Sequence, residues 1–263
     1  MKTTFTKKDL VVTLACLAFL LLTAAAVGPR GRRHTKQILC LSNLQKLGTC
    51  FQTFLKDNNG YFQEGYWGLP DCVSTNWWFH ALNPYYQNQN LCLCPMAAIL
   101  GNDVGKGEIG MTFFAWSAQG WLGPPGSVYG SYGLNGWVEN NQCPTESEYT
   151  GRRWRTPNVA GAADIPLLLD AAWIDGWPSH TDDPPQYDDQ DFRMTSQMGR
   201  FCINRHEGFI NSLFLDFSAR KVGLKELWTL KWHRRYDTCG PYTQCGGITP
   251  QDWPDWMQNF PDY

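Results

Sequence analysis

His206 is the side chain whose neighbours best suit a reactive set: Glu207 follows it, Ser212 lies on the same apolar stretch, and nine residues separate it from Asp216. A histidine paired with a carboxylate can move protons, and a serine beside such a pair can act as a nucleophile. Catalysis also needs a third group to orient the base, and the sequence identifies none. Gly-x-Ser-x-Gly, His-Glu-x-x-His and phosphate-binding glycine loops are all missing. The residues therefore predict no enzyme. For His206 they predict a partly buried imidazole that bridges a hairpin and a loop by hydrogen bonds.

Two further sets could bind ions. Asp182, Asp183, Asp188, Asp189 and Asp191 crowd one proline-containing loop. Calcium takes about six to eight oxygens, and a dense acidic loop can provide several. The spacing of an EF-hand is absent, so a solvated acidic loop is the first expectation and calcium the one cofactor kept in view. The 10 cysteines fit an oxidising compartment and structural disulfides whose pairing the spacing does not reveal, with Cys16 left as a free thiol in an apolar run. Zinc is the competing use, but no Cys-x2-Cys pair exists, and Cys92-Leu-Cys94 beside Cys239-x5-Cys245 is poor ligand spacing. The 13 tryptophans, among them Trp77, Trp78, Trp116, Trp121 and Trp137, could stack on sugars, although in a loop-rich domain of this kind they more often fill the core.

The elements that must position these residues begin with an asymmetry of charge. Residues 1–36 hold seven basic side chains against Asp9, whereas 37–263 hold 15 basic and 23 acidic ones. With an overall net charge of -2, nothing points to nucleic acid; the Arg-Gly-Arg-Arg-His stretch at 30–34 more simply meets anionic headgroups. The run at 10–27 carries no charge, and about 27 Å of helix from it comes close to bilayer thickness. It can serve as a cleaved signal peptide ending at Ala24, Ala25 and Ala26, as a retained single-span anchor, or as the first half of a longer helix. The third use is suggested by 34–56, where Leu41, Leu44, Leu47, Phe51, Phe54 and Leu55 recur at helical spacing after a kink at Gly28-Pro29. Asn58, Asn59 and Gly60 then end the helix.

Beyond Gly60, short apolar runs between Gly and Pro predict strands and ordered loops. Ser131–Val138 and Ile165–Asp170 read as buried strands. Phe209–Leu215 and Ala219–Val222 form a hairpin around Asp216, Phe217 and Ser218, followed by a short amphipathic helix through Leu224, Leu227, Trp228 and Lys231.

Taken together, these features resemble the type IV pilin and type II secretion pseudopilin family, in its planctomycete-type branch. Phe5-Thr-Lys-Lys-Asp-Leu-Val-Val12 is similar to the prepilin start, with Asp9 at the place of the family's glutamate. Arg205-His206 to Asp216 is similar to the prepilin-processing-associated His-x9-Asp-Gly element, with Phe217 in place of the glycine. Thr4 stands where the family has glycine before the cut, and Lys7 and Lys8 replace apolar residues.

The resemblance implies a pilin-like α+β fold: a prepilin-type start at 1–9, a transmembrane helix at 10–27, its amphipathic continuation at 28–57, and an extracytoplasmic head at 58–263. The head is expected to be an antiparallel sheet with long loops and the hairpin at 205–222. It implies processing between Thr4 and Phe5 by a prepilin peptidase, N-methylation, and assembly with other pilin-like subunits in which Asp9 meets a neighbour's amine. It also implies a single-pass placement in the inner membrane, in contact with its lipid, and calcium in such acidic loops of related pseudopilins. The expected function is a structural subunit of a pilus or secretion pseudopilus. The alternative is an anchored or secreted Trp-rich module that binds polysaccharide or protein.

Overall fold

The computed structural model describes residues 6–26, 28–69, 72–100, 109–118, 128–141, 149 and 151–263. The first helix, α1 (Lys7–Ala26), opens on a capping box. Asp9 Oδ2 accepts from the Thr6 N–H at 2.9 Å and the Thr6 hydroxyl at 2.7 Å, while Thr6 Oγ1 accepts from the Asp9 N–H at 3.3 Å. The second helix, α2 (Pro29–Asp57), starts with proline in its first turn, where a missing N–H costs nothing. It stops where Asn59 and Gly60 turn to φ of 55° and 80°, and the Gly60 N–H donates to Leu55 O at 2.7 Å.

The expected transmembrane helix over 10–27 is corrected here: among the described residues, no helix is long and apolar enough to cross a membrane. Lys7, Lys8 and Asp9 occupy the first turn of α1, so only 10–26 is left apolar, about 25 Å of helix against roughly 30 Å of hydrocarbon. The next helix then opens with Pro29 and a basic turn rather than extending the apolar run. The single-pass inner-membrane placement, which rested on that span, falls with it. Thr4 and Phe5, the expected processing site, lie outside the described residues.

Around the C-terminal half of α2 the head is α+β, as expected, with ten strands and one short helix among the described residues. These are β1 (Gly65–Leu69), β2 (Cys72–Asn76), α3 (Trp78–Leu82), β3 (Ile99–Leu100), β4 (Phe114–Ala118), β5 (Val128–Gly130), β6 (Tyr132–Asn135), β7 (Pro166–Asp170), β8 (Asp175–Gly176), β9 (Phe209–Phe214) and β10 (Ala219–Gly223). The central sheet has the order β10-β9-β7-β6-β8, beside a three-stranded sheet β3-β4-β5 and the hairpin β1-β2. Pairing is mixed rather than purely antiparallel, because β6 runs parallel to β8 and β3 parallel to β4.

α2 lies on this sheet through Cys40, Leu44, Leu47, Phe51, Phe54 and Leu55, all buried. Gly48 permits the approach: a Cβ there would stand 3.0 Å from Leu213 Cδ1 on β9.

Local departures from expectation have local causes. The strand expected over Ser131–Val138 ends at Asn135, whose side chain accepts from the Trp137 N–H at 3.1 Å and turns Gly136–Val138 into a 3-10 turn. The helix expected after the hairpin is a 3-10 turn, Lys225–Thr229. Lys225 is enclosed there and pairs with Asp262 at 2.7 Å, so a charged side chain expected towards solvent is turned inward and only Glu226 and Thr229 of the segment are partly exposed. At the hairpin tip Phe217 adopts φ of 64°, the left-handed conformation that glycine would reach without strain. Asp216 steadies the turn by accepting from the Ser218 N–H at 2.9 Å and hydroxyl at 2.7 Å.

The indoles are core. Trp77, Trp78, Trp116 and Trp137 are buried, and the last three donate to Ile174 O (2.9 Å), Tyr132 O (3.0 Å) and Pro178 O (3.0 Å). A sugar-stacking face made from these four is therefore ruled out, and Trp121 lies outside the described residues. His233 sits among the same rings, edge-on to Trp137 and Tyr236, with Nδ1 accepting from the Arg235 N–H at 3.1 Å. Burial first, and then the basic neighbours Arg152, His180, Lys231 and Arg235, push its pKa down to about 3.

Two outcomes are expected. Gly48→Leu overpacks the α2–β9 contact and lowers unfolding free energy in urea by about 1–3 kcal/mol, whereas Thr49→Leu on the exposed side changes it by less than about 0.5 kcal/mol. His233 is neutral when folded, while its unfolded counterpart takes up a proton near pH 6.5, so stability drains as pH falls from about 6.5 towards 3. A pH series of urea melts should be flatter over that window for His233→Asn than for the parent protein.

Candidate metal centre

Four segments distant in sequence meet under α2. Cys40 comes from the buried side of α2, and Cys94 follows the 3-10 turn Gln89–Cys92. Asp170 ends β7, and His206 lies in the turn that leads into β9. That turn is tight: Glu207 and Gly208 have φ of 56° and 87°, and the His206 N–H donates to Phe209 O at 3.0 Å. All four residues are buried, and one ligand atom from each lies within 4.8 Å of the others, a set able to hold a metal ion.

The geometry inside the cluster is close. His206 Nε2 is 3.1 Å from Asp170 Oδ2 and 3.5 Å from Cys94 Sγ, while Cys40 Sγ is 3.6 and 3.7 Å from the two Asp170 oxygens. The Tyr132 hydroxyl lies 3.3 Å from Cys40 Sγ, and the Asn211 N–H donates to Asp170 Oδ2 at 2.8 Å.

Beneath it lies Arg205, also buried. Its Nε donates to Thr112 O (2.7 Å), Nη1 to Ser131 O (2.5 Å) and Asp170 Oδ1 (3.1 Å), and Nη2 to Met111 O (3.0 Å) and Ala171 O (3.1 Å). Five donors thus meet five acceptors, which only the guanidinium fork can do.

Charge follows from this packing. Burial raises the Asp170 carboxyl, but His206, Arg205 and the Asn211 N–H outweigh it and hold the group well below the usual carboxylate range. Burial lowers His206, yet Asp170 and Cys94 carry it up to about 9. Burial also opposes ionisation of both thiols: it keeps Cys40 well above the ordinary value, while Cys40, His206 and Arg205 together bring Cys94 to about 7.

The sequence singled out His206 and Asp216, and the structure places them at opposite ends of β9. His206 does bridge hairpin and loop, but its carboxylate partner is Asp170; Asp216 is exposed at the hairpin tip. Asp9 is exposed in the capping box, where the Thr6 hydroxyl and N–H lower its pKa.

The five aspartates of the acidic loop are occupied separately. Asp182 accepts from the Ser179 and Met198 N–H groups, and Asp183 from the Tyr242 hydroxyl. Asp188 accepts from Thr112 and Asn204, Asp189 from the Thr112 N–H, and Asp191 pairs with Arg193. They serve to fix the loop, and the metal-capable set among the described residues is the cysteine–histidine one.

Cys239 and Cys245 form a disulfide, whereas Cys16, Cys40, Cys50, Cys92, Cys94 and Cys202 are free thiols. An open groove of about 600 Å³ beside α2 presents Asn43, Lys46, Tyr85 and Asn88, with no base paired to a nucleophile.

Sequence reasoning missed Cys40, Cys94, Asp170 and Arg205 as a set. The one available signal was that Asp170 ends an otherwise apolar strand, where a carboxylate must find a partner. No protein-family model matches the chain, and no curated protein or solved structure does either.

Arg205→Met removes one of the two cations beside Asp170, leaves four carbonyl acceptors unpaired, and should cost about 3–5 kcal/mol in chemical unfolding. Arg205→Lys keeps the charge but abandons carbonyl acceptors and should fall between that variant and the parent. Glu207→Gln removes only an exposed ion pair with Arg33 and should change stability by about 0.5 kcal/mol or less.

Proposed function

We propose that the chain is a non-enzymatic assembly subunit of the pilin-like kind, joining copies of itself through α1 into a pilus- or pseudopilus-like fibre. One observation carries this: the described apolar side chains of α1 have nothing packed against them. Leu10, Val11, Val12, Leu14, Leu17 and Phe19 are 50–67% exposed. A helix apolar on all sides needs a partner, because each Å² left in water costs roughly 25 cal/mol and such surfaces associate.

The partner with matching chemistry is a second copy. Lys7, Lys8 and Asp9 share one exposed turn, so the charged ends of staggered copies find opposite charges while the apolar sides meet. The head supports the same role. Many of its tryptophans fill the core, and Arg205 ties the loop at 111–112, Ser131 and Ala171 together through its five donors. The sequence resemblance at Phe5–Val12 and at Arg205–Asp216 points the same way.

The test uses the native thiol of Cys16, which is exposed on α1. Light scattering on the full chain should give masses above the monomer, and a bismaleimide should cross-link copies through Cys16 but not in Cys16→Ser. Charging the helix with Leu14→Glu and Leu17→Glu should weaken self-association by roughly 100-fold or more while the melting of the head stays unchanged. A parent protein that stays monomeric at about 100 μM would defeat this reading, and one that also bound polysaccharide would favour the binding-module alternative.

A further inference from the structure

We propose that Cys40, Cys94, Asp170 and His206 form a closed tetrahedral zinc site that staples α2 to the head. The inference stands apart from assembly through α1, since neither requires the other.

Geometry argues first. Zinc bonds of about 2.3 Å to sulfur and about 2.0–2.1 Å to nitrogen or oxygen place tetrahedral ligands about 3.5 Å apart for sulfur with nitrogen or oxygen, and about 3.3 Å apart for nitrogen with oxygen. With Asp170 Oδ2 as the carboxylate ligand, the separations found are 3.5 Å for Cys94 Sγ to His206 Nε2, 3.7 Å for Cys40 Sγ to Oδ2, and 3.1 Å for His206 Nε2 to Oδ2. Three of the six edges thus match a tetrahedron around an ion of that size, and all four ligand atoms lie within 4.8 Å of one another.

The donor set argues second. Two sulfurs, one imidazole nitrogen and one carboxylate oxygen suit zinc, whereas calcium and magnesium require a shell of oxygens.

Charge argues third. Two thiolates and a carboxylate carry three negative charges, Arg205 returns one positive, and a divalent ion brings the buried centre to neutrality. On binding, the protons on the Cys40 and Cys94 thiols and on His206 Nε2 leave to solvent, since each of these atoms must give a lone pair to the ion.

The surroundings are those of a supported metal site. Asp170 keeps Arg205 at 3.1 Å and the Asn211 N–H at 2.8 Å, and Cys40 Sγ has the Tyr132 hydroxyl at 3.3 Å. Such outer partners orient ligands and temper their charge. The Asn211 amide, 3.2 Å from Nε2, turns from that nitrogen when the ion takes its lone pair and retains Gln37 O, 3.4 Å away, as acceptor. A cavity of about 80 Å³, bordered by Gln37, Met96, Arg205 and His206, adjoins the histidine side of the cluster. Four protein ligands leave no position for water, so the role is structural: one ion joins α2, the loop at 94, β7 and the turn before β9.

The experiment uses the full chain, purified without chelator under reducing conditions. Elemental analysis should find about one zinc per chain, and chelation should lower the melting temperature until one equivalent of zinc restores it. Cobalt added to the chelated protein should give the intense visible bands of a tetrahedral ion and a thiolate charge-transfer band in the near ultraviolet. Cys94→Ser and His206→Gln should drop zinc content below about a tenth of an equivalent, while Cys202→Ser, buried elsewhere against Met257, keeps it whole. The cobalt spectrum of the parent protein is decisive even if a variant fails to fold. Absence of both zinc and cobalt bands, a different native metal, or mass spectrometry showing a Cys40–Cys94 disulfide in the native protein would each overturn the proposal.

Discussion

The head is organised around one buried ion pair, Arg205 with Asp170, both fully enclosed. Removing two charges from water costs several kcal/mol each, and Coulomb attraction alone does not recover that unless the remaining hydrogen-bonding positions are filled. Here they are filled from every side. The loop at 111–112, Ser131 before β6 and Ala171 after β7 supply carbonyls to the guanidinium, and the Asn211 N–H on β9 completes the carboxylate. Each of these segments is thereby held against the same point. The register of β6 against β7, Tyr132 opposite Asp170, brings the Tyr132 hydroxyl and the carboxylate to the same side chain of α2, Cys40. A polar centre thus sets how a mostly apolar helix and sheet meet, a task for which apolar contact is poorly directional.

Much of the framework was legible because it depends on local pattern. The apolar run at 165–170 is β7, the alternation on either side of 216–218 is the β9–β10 hairpin, and Asn59-Gly60 closes α2 with positive φ. Where the reading failed, tertiary context overruled local preference. Residues 224–231 have the spacing of an amphipathic helix, yet the pull of Lys225 towards Asp262 and the burial of Leu224, Leu227, Trp228 and Leu230 leave only a 3-10 turn. Phe217 is the converse case: glycine was the expected residue, and the turn retains glycine's φ although a bulky side chain occupies it. Its ring packs on the core, which offsets backbone strain of order 1 kcal/mol.

The candidate site was half visible. His206 stood out, and the expectation that it bridges hairpin and loop describes what it does, but the partner named from spacing was Asp216. In a strand, successive residues point to opposite faces and each step advances about 3.3 Å, so the two residues flanking β9 are carried to its two ends. Zinc was set aside for lack of a Cys-x2-Cys pair. That criterion recognises sites built on one turn of chain; a site whose ligands stand at 40, 94, 170 and 206 has no spacing to read, only a common destination. The expectation of structural disulfides is met at Cys239–Cys245, and Cys16 is free as expected, while Cys40, Cys50, Cys92, Cys94 and Cys202 are thiols in the structure.

The same chain treats apolar surface in two opposite ways, and that contrast bears on its role. In the head the indole N–H groups of buried rings such as Trp154 and Trp232 donate to carbonyls, which lowers the cost of burying them. Along α1 the aliphatic side chains from Leu10 to Phe19 stand in solvent. Composition does not account for the difference, because α2, with more charge and less apolar surface, buries its face completely. What differs is placement: α2 lies against the central sheet with Leu44, Leu47 and Phe51 buried, whereas the described apolar side chains of α1 are exposed. Exposed apolar surface of this extent favours association, and the self-assembly proposed above would cover it with the same helix of another copy, whose first turn carries both signs of charge.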